Sequence, residues 1–455
     1  MKFTQSVFIS ILAALTSTVS AGCTLDGGNY YCSQTNKITY PGLGYSGSYQ
    51  DVTDMNEQTG VCTQQSLAFS GNLSPLDEEL SIHFRGPIKL LQFGVYLPAG
   101  TSNTKRDEQA VADIADEDCE TRHVHHQHKR ATEILEVTET VYVNINGQTV
   151  ESSTTVATSV AAPPPIVNSV PPQEPVTSTP TTAAAPPTTL TTSSTSSTTS
   201  TSSTSNTSSP QSSAAAGDWE QVAYYSPGSA NNLVFMNYYG GSGSGVWSSS
   251  FGNSLSYANA DASGGSSTPV ALGSNLVPSN NEYVIFSGQQ CSGDDCGYYR
   301  SGIPAYHGFG GDQKIFVFEF EMPTDTGASG GLNFDMPAVW LLNAKIPRTL
   351  QYGAATCSCW LTGCGELDLF EILDSGDNRL ISHLHDGQGS NGSAQGGGGS
   401  QDYFSRPTSG SLAAAVIFQG NSVSILEVAN SFDAVLSSET VQGWINQSGS
   451  VATIQ

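Results

Sequence analysis

The second half of the chain carries the alternation of apolar and polar residues that is typical of β-strands. Residues 314–322 place large apolar side chains at every second position, so these side chains share one face. Two apolar runs, 414–418 and 423–428, flank Gly420-Asn421, a pair typical of a two-residue hairpin turn. No βαβ alternation and no Gly-rich phosphate loop accompanies them. The pattern predicts an all-β fold, most economically an antiparallel two-sheet sandwich over residues 217–455.

A shorter stretch near the N-terminus has the same character. Residues 22–104 are rich in Gly and Tyr and contain the apolar run 88–97. Pro87 and Pro98 bound this run, at positions where strand edges tolerate proline. We therefore expect an N-terminal β unit separate in sequence from the larger one.

The residues between these two units lack the composition of a folded core. Residues 105–160 are acidic, begin with Lys105-Arg106, contain a second dibasic pair at Lys129-Arg130, and hold four histidines between positions 123 and 128. The dibasic pairs indicate either excision by a processing protease or two chance pairs in a loop. The histidines indicate either a metal site or a solubilising tract. Residues 161–216 are rich in Ser, Thr and Pro, which predicts a disordered, O-glycosylated linker.

The first residues match a secretory signal peptide. Lys2 precedes a short apolar stretch and small residues follow it, so residues 1–21 are expected to be removed before Gly22. No later run reaches the roughly 20 apolar residues of a membrane span, and no C-terminal hydrophobic tail predicts a lipid anchor. Export would make four tripeptides candidate N-glycosylation sites: those beginning at Asn72, Asn206, Asn391 and Asn446.

Charge narrows the classes of partner. The 455 residues include 40 acidic and only 15 basic side chains, a formal charge of −25. Nucleic acids and anionic membranes both require clustered positive charge, so neither is an expected partner. A chain with 12% charged residues and 47 glycines fits a secreted all-β protein.

Nine cysteines in an exported chain predict disulfides. Cys291 and Cys296 frame a short turn and are expected to pair with each other. Each unit then retains three cysteines, so pairing all of them requires at least one disulfide between the units. Cys119 is left over between the dibasic pairs. A free thiol with a different connectivity is the alternative.

Three carboxylates interleave with apolar residues in the run 364–373. In a regular strand Glu366 and Asp368 share one face and Glu371 lies on the other. One β-bulge between Asp368 and Glu371 would return Glu371 to the shared face. A retaining glycosidase needs two carboxyls about 5–5.5 Å apart, and a third would raise the pKa of its neighbours by repulsion, that of Glu371 in particular. A solvated acidic strand or a calcium-binding edge is the alternative on spacing alone.

The sequence Glu-Leu-Asp-Leu-Phe-Glu at residues 366–371 resembles the Glu-x-Asp-x-x-Glu signature of glycoside hydrolase family 16. Met-Pro-Ala-Val-Trp-Leu-Leu at 336–342 resembles the strand that precedes it in those enzymes, and Ile-Ser-His-Leu-His at 381–385 resembles the strand that follows. The whole arrangement resembles fungal cell-wall proteins described as probable circularly permuted 1,3-beta-glucanases. The resemblance covers residues 22–104 and 217–455.

This resemblance implies a concanavalin-like β-jelly-roll sandwich that the N-terminal unit completes through the strand at 88–97. It also implies a secreted cell-wall enzyme that cleaves β-1,3-glucan with retention of configuration. Glu366 matches the nucleophile, Asp368 the assisting acid and Glu371 the acid/base. The positions expected to contact substrate are Trp340, His383, His385 and Trp360, with core packing as the alternative for each tryptophan.

Two other functions stay open on sequence grounds. A transglycosylase that remodels glucan or chitin would use the same three acids, and a non-catalytic wall protein would only bind or space glycans. The expected chemistry requires no metal or organic cofactor. Binding of a structural calcium ion is an open alternative, although no residue pattern in the sequence identifies its ligands.

Overall fold

The structure, a computed structural model, describes residues 22–101, 214–328, 330–389, 396–429 and 432–454. These residues all belong to one unit of the chain. The candidate signal peptide, both dibasic pairs, the histidine tract and all but the last residues of the Ser/Thr/Pro-rich segment lie outside them. Cys119, Asn206 and Asn391 also lie outside them.

Strands dominate the described residues. In chain order they are β1 (Thr24–Asp26), β2 (Asn29–Tyr31), β3 (Lys37–Pro41), β4 (Gly47–Asn56), β5 (Val61–Phe69), β6 (Leu80–Arg85), β7 (Lys89–Pro98), β8 (Trp219–Ser226), β9 (Ser229–Asn231), β10 (Leu233–Asn237), β11 (Trp247–Ser248), β12 (Gly252–Asn253), β13 (Ser256–Ala258), β14 (Gly265–Ser266), β15 (Glu282–Ser287), β16 (Lys314–Glu321), β17 (Ala338–Asn343), β18 (Glu366–Glu371), β19 (Arg379–His385), β20 (Gly398–Ser405), β21 (Leu412–Gln419), β22 (Ser422–Glu427), β23 (Val435–Leu436), β24 (Ser450–Val451) and β25 (Thr453–Ile454). The helices are α1 (Lys345–Arg348), α2 (Ser438–Ile445) and two 3₁₀ turns, Ala355–Cys357 and Trp360–Thr362. No helix in the described part of the chain is long and apolar enough to cross a membrane.

Two large sheets form the sandwich. The ten-stranded sheet has the order β14-β13-β10-β15-β6-β17-β18-β19-β20-β25. The nine-stranded sheet has the order β23-β8-β7-β16-β21-β22-β3-β24, with β9 paired to β8. One large apolar cluster takes side chains from both sheets and fills the space between them. The predicted all-β jelly-roll sandwich is confirmed.

The N-terminal segment supplies interior strands to both sheets. β6 lies between β15 and β17 in the ten-stranded sheet, while β7 lies between β8 and β16 in the nine-stranded sheet. The prediction that the N-terminal unit completes the sandwich is therefore confirmed, and the apolar run at 88–97 is strand β7 with a shift of one residue at each end. Both strands bury apolar side chains in the core between the sheets. This burial explains why the N-terminal segment carries apolar runs.

Local patterns in the second half fold as predicted. Phe316, Phe318 and Phe320 point into the core between the sheets, and Ile315 and Val317 on the same strand belong to a second cluster on the outer side. β21 and β22 pair as a hairpin around Gly420-Asn421. The alternation along β16 therefore corresponds to its two faces, one packed in the core between the sheets and the other in the outer cluster.

The eight cysteines among the described residues form four disulfides: Cys23–Cys32, Cys62–Cys357, Cys291–Cys296 and Cys359–Cys364. The predicted Cys291–Cys296 pair is confirmed. The parity argument is confirmed as well, because Cys62–Cys357 joins the N-terminal segment to the C-terminal one.

A hairpin from the N-terminal segment, β4–β5, packs against the face of the ten-stranded sheet that points away from the other sheet. We call this face the site face. Tyr49 and Phe69 of the hairpin contact a cluster that contains Trp340 and Leu342 of β17. Cys62 fixes the hairpin covalently to the segment between β17 and β18. The hairpin thus covers part of the site face beside strand β18.

Candidate active site

Strand β18 contains the bulge that the carboxylate spacing predicts. Its register shifts against β17 between Val339 and Trp340, and against β19 between Asp368 and Glu371. The extra residue brings Glu371 back to the face that holds Glu366. The two leucines between the carboxylates lie in the core between the sheets. Three acids of one short strand therefore meet on the site face.

Neighbouring strands place polar and aromatic residues beside each acid. Across the sheet, Glu366 pairs with Leu342 and His385, Asp368 with Trp340 and His383, and Glu371 with Ala338 and Ile381. Residues that pair across antiparallel strands point to the same face. The structure therefore brings together the three carboxylates and both predicted histidines.

Glu366 is held by Trp360. The indole N–H of Trp360 donates to Glu366 Oε2, and the tryptophan ring lies 6.5 Å from the ring of His385. Trp360 sits in the tight loop that the Cys359–Cys364 disulfide closes directly before β18. Its side chain is 37% exposed, so one ring can both orient the carboxylate and offer an open face at the edge of the site.

Burial and mutual repulsion act on the acids of β18. Burial, followed by the charge of Asp368, raises the pKa of Glu366. Burial, followed by the charge of Glu371, raises the pKa of Asp368 well above its usual range. His385 Nε2 lies 3.5 Å from Asp368 Oδ2. These carboxyls therefore hold protons to higher pH than ordinary surface acids do.

The two histidines differ in environment. Burial, with a smaller contribution from His385, lowers the pKa of His383 to about 4. His383 is therefore neutral at neutral pH. Gly399 of β20 lies beside it, and a Cβ at that position would meet His383 Cδ2 at 2.5 Å. Glycine at 399 is thus required by the position of the imidazole.

Arg85 is a site residue that sequence reasoning missed. Its Nη2 lies 3.2 Å from Glu371 Oε1, its Nε donates to the Met336 carbonyl at 2.8 Å, and its guanidinium lies 5.9 Å from the centre of the Trp340 ring. The sequence predicted repulsion of Glu371 by the other two acids, which stays a prediction, and the structure adds a cation in contact with Glu371. No sequence signal pointed to Arg85, since 286 positions separate it from Glu371.

Trp340 lies on the site face but is only 5% exposed. The ring of His83 stacks on it at 5.1 Å with an interplanar angle of 28°, and the β4–β5 hairpin packs nearby. Burial lowers the pKa of His83 to about 3, so this imidazole is neutral. The burial of Trp340 favours the packing role that the sequence left open, whereas Trp360 keeps an open ring.

A buried chain of hydroxyls supports the strand from below. Tyr40 Oη lies 2.8 Å from Ser382 Oγ, and Ser382 Oγ donates to the Asp368 carbonyl at 2.6 Å. Tyr40 comes from β3, so the N-terminal segment supports the site from the opposite sheet as well. A bulge disrupts the hydrogen bonds between neighbouring strands locally. The Ser382 hydroxyl supplies a hydrogen bond to the Asp368 carbonyl at this position.

One group of potential metal ligands comes together within the described ranges, formed by Cys291, Asp295, Cys296 and His307. Both of its sulfurs are joined in a disulfide, which removes them as thiolate ligands. The need for no cofactor stays a prediction, and the structure identifies no ligand set for calcium at the site.

Fold and site together define an all-β sandwich that carries a row of three acids on one outer face. Two family models match the chain. The one described as cell wall protein YJL171C/Tos1, C-terminal, covers residues 217–444, and the corresponding N-terminal one covers residues 36–98. The chain belongs to this family of cell wall proteins.

Curated relatives align over the whole chain. A protein of Candida albicans is 58% identical over 472 residues, covering 100% of both sequences. A protein of Saccharomyces cerevisiae is 52% identical over 463 residues, covering 100% of this chain and 99% of the relative. Both are named probable circularly permuted 1,3-beta-glucanase TOS1. No solved structure matches the chain.

The raised pKa of Asp368 leads to a stability prediction. A folded-state pKa above the unfolded value stabilises the fold at low pH, and that stability is lost as pH rises through the folded pKa. Asp368→Asn removes the charge, so we expect the variant to melt several degrees above wild type at pH 8 and close to wild type at pH 4. Each unit of pKa displacement corresponds to about 1.4 kcal/mol.

Thermal melts at both pH values, measured by circular dichroism, test this prediction. Asp312→Asn serves as the control because Asp312 is exposed on a loop, and it should show the same small difference at both pH values. A destabilised Asp368→Asn at pH 8 would contradict the electrostatic argument.

Proposed function

We propose that this protein is a retaining glycoside hydrolase that cleaves β-1,3-glucan and thereby remodels the cell wall. The observation that carries the proposal is the bulge in β18, because it places Glu366, Asp368 and Glu371 on one face. The names of the relatives support the choice of substrate. The described part of the chain presents this acid row beside an exposed aromatic ring, a combination that suits a sugar.

Each acid has a distinct role in this proposal. The Glu366 carboxylate attacks the anomeric carbon, while Glu371 gives its proton to the leaving glycosidic oxygen. Water then attacks the glycosyl-enzyme, Glu371 takes a proton from that water, and the Glu366 carboxylate leaves. Trp360 orients Glu366 through its indole N–H. Asp368 lies between the two on the same strand. Burial and then the charge of Asp368 raise the pKa of Glu366, so Glu366 must release its proton to solvent before it attacks.

Arg85 has a natural role in the second step. In that step Glu371 has already given its proton to the leaving group, and the Arg85 guanidinium lies beside the charged carboxylate that accepts a proton from the attacking water. Because β6 supplies Arg85, the N-terminal segment contributes to the chemistry as well as to the sheet. A C-terminal segment alone would contain all three acids but lack this cation.

Product analysis tests the proposal. The purified protein is incubated with laminari-oligosaccharides that are labelled at the reducing end. Mass spectrometry identifies the lengths of the products, and NMR identifies which anomer of each new reducing end forms first. We expect shorter oligosaccharides that are released as β-anomers, since two displacements retain configuration. Longer products would establish a transglycosylase. α-Anomers would contradict the retaining mechanism, and intact substrate with every β-glucan and chitin oligomer would favour a non-catalytic wall protein.

A further inference from the structure

We propose that Tyr352 and Glu282 form a second sugar-binding subsite on the site face, which holds a glucose ring of the same β-glucan chain beyond the bond that is cleaved. This inference rests on the proposed function and adds where a longer substrate is held. Neither residue belongs to the catalytic strand or to the adjacent histidine strand.

The position of Glu282 relative to the acids follows from the sheet register. Glu282 pairs with Arg85, Arg85 with Ala338, and Ala338 with Glu371. These four residues form one row across β15, β6, β17 and β18. Three strand spacings of about 4.8 Å separate the ends, roughly 14 Å between the Cα atoms. An oligosaccharide can span that distance, whereas one sugar ring at the catalytic acids cannot.

Tyr352 presents an open aromatic face at the far end of this row. Its side chain is 49% exposed. Its hydroxyl donates to Glu282 Oε2 at 2.8 Å, and its ring packs edge-on against the ring of Tyr238 at 6.0 Å. Tyr238 is itself held by a hydrogen bond from its hydroxyl to Gln351 Oε1. The exposed ring is therefore held in place from two sides.

Glu282 adds the polar half of the subsite. One of its oxygens accepts the hydrogen bond from Tyr352, and no hydrogen bond to the other oxygen comes from the described residues. Burial raises the pKa of this carboxyl, although Arg85 is the next residue in the row. An aromatic face beside a half-buried carboxyl matches a pyranose, which has an apolar C–H face and hydroxyl groups at its rim.

Two exposed rings thus lie at opposite corners of the site face. Trp360 lies at the Glu366 end, where its indole contacts the proposed nucleophile. Tyr352 lies on the side of Arg85 and Glu371, the proposed acid/base. The leaving part of a glucan departs on the side of the acid/base, so the Tyr352 subsite is expected to hold the leaving or accepting part of the chain.

Binding to an inactive protein tests this subsite without turnover. In the full chain carrying Glu366→Gln, calorimetry measures the affinity for laminarihexaose and for laminaribiose. Adding Tyr352→Ala should weaken hexaose binding roughly tenfold, since an aromatic contact of this kind is worth about 1–1.5 kcal/mol. Biose binding should not change, because a disaccharide does not span both sites. Tyr352→Phe keeps the ring and should stay within about threefold of the parent for hexaose.

The matched control is Tyr224→Ala in the same background. Tyr224 lies on β8 in the nine-stranded sheet, where its hydroxyl donates to Gln92 Oε1 and its neighbour Tyr225 points into the core. Tyr224 therefore faces away from the ten-stranded sheet, and its removal should leave both affinities unchanged. Equal melting temperatures of the parent and the Tyr352→Ala variant confirm that the comparison is between folded proteins. Unchanged hexaose affinity in folded Tyr352→Ala overturns the subsite but leaves the proposed function standing.

Two further outcomes separate the claims. If wild type neither binds nor cleaves any laminari-oligosaccharide, the proposed function fails and the subsite fails with it. Chitohexaose serves as the second ligand. If Tyr352→Ala weakens binding of chitohexaose and not of laminarihexaose, the assignment to a glucan chain is overturned.

Discussion

Glu366→Gln is expected to reduce the rate of β-1,3-glucan cleavage by roughly 10³-fold or more. The proposed nucleophile loses its charge while its shape is kept, and losses of this size are common when a group that acts directly in the reaction is removed. The Gln side chain can still accept the indole N–H of Trp360, and loss of a buried charge does not harm the fold. We therefore expect normal secretion and a melting temperature at or above that of wild type.

The control for this variant is Glu319→Gln, on the nine-stranded sheet. Glu319 follows Val317 on the outer side of β16 and binds Gln92 and Ser411, so activity should not change. Glu366→Ala with added formate provides a second test, because a small carboxylate can occupy the space that the side chain leaves. Partial recovery of cleavage of an activated glucoside supports the role of nucleophile. If Glu366→Gln cleaves glucan at the wild-type rate, the acids of β18 are not the catalytic residues.

Removing residues 22–101 is expected to abolish folding of the C-terminal segment. β3, β6 and β7 lie inside the two sheets, and large apolar side chains from all three are fully buried in the core. Burying each such side chain contributes about 1.5–3 kcal/mol, so their loss exceeds the roughly 5–15 kcal/mol by which a domain is stable. Expression of residues 214–455 alone should give insoluble or unfolded protein.

Cutting the chain between the two segments should have the opposite result. A protease site inserted within residues 191–213 allows cleavage after folding. The pieces should co-elute on size exclusion even in reducing buffer, since the sheets as well as the Cys62–Cys357 disulfide hold them together. Activity should be retained. Separation of the pieces under native reducing conditions, or a soluble and cooperative 214–455 fragment, would contradict the composite sandwich.

The same experiment bears on processing in the cell. Cleavage at Lys105-Arg106 and Lys129-Arg130 stays a prediction, because both pairs lie outside the described residues. If it occurs, the mature protein should run as two chains after reduction and as one before it. The disulfide between Cys62 and Cys357 has the connectivity that this outcome requires.

Several features could be predicted from the sequence because their causes are local. The alternation of large apolar residues at 314–322 reports a strand packed on both sides, and Gly420-Asn421 reports a hairpin turn. The spacing of Glu366, Asp368 and Glu371 requires a bulge if all three are to share one face, and the bulge is present. Each of these inferences uses only residues that are neighbours in the chain.

Cysteine parity is a weaker kind of local information. An odd count in each unit predicted a disulfide between the units on the condition that every cysteine is paired, yet nothing in the sequence identified Cys62 and Cys357 as the partners. The choice depends on where hairpin β4–β5 packs on the site face. Counting therefore predicted that the units are linked, and the fold decided where.

What the sequence determined by itself was the class of fold, the strand that carries the acids, and the bulge that brings them to one face. Only the tertiary structure decided what surrounds those acids. Arg85 reaches Glu371 because β6, from the N-terminal segment, pairs beside β17. Tyr352 and Glu282 meet for a similar reason, from segments 70 positions apart. Contacts between distant segments depend on the pairing order of strands, and that order is set by the shared core and not by any local pattern.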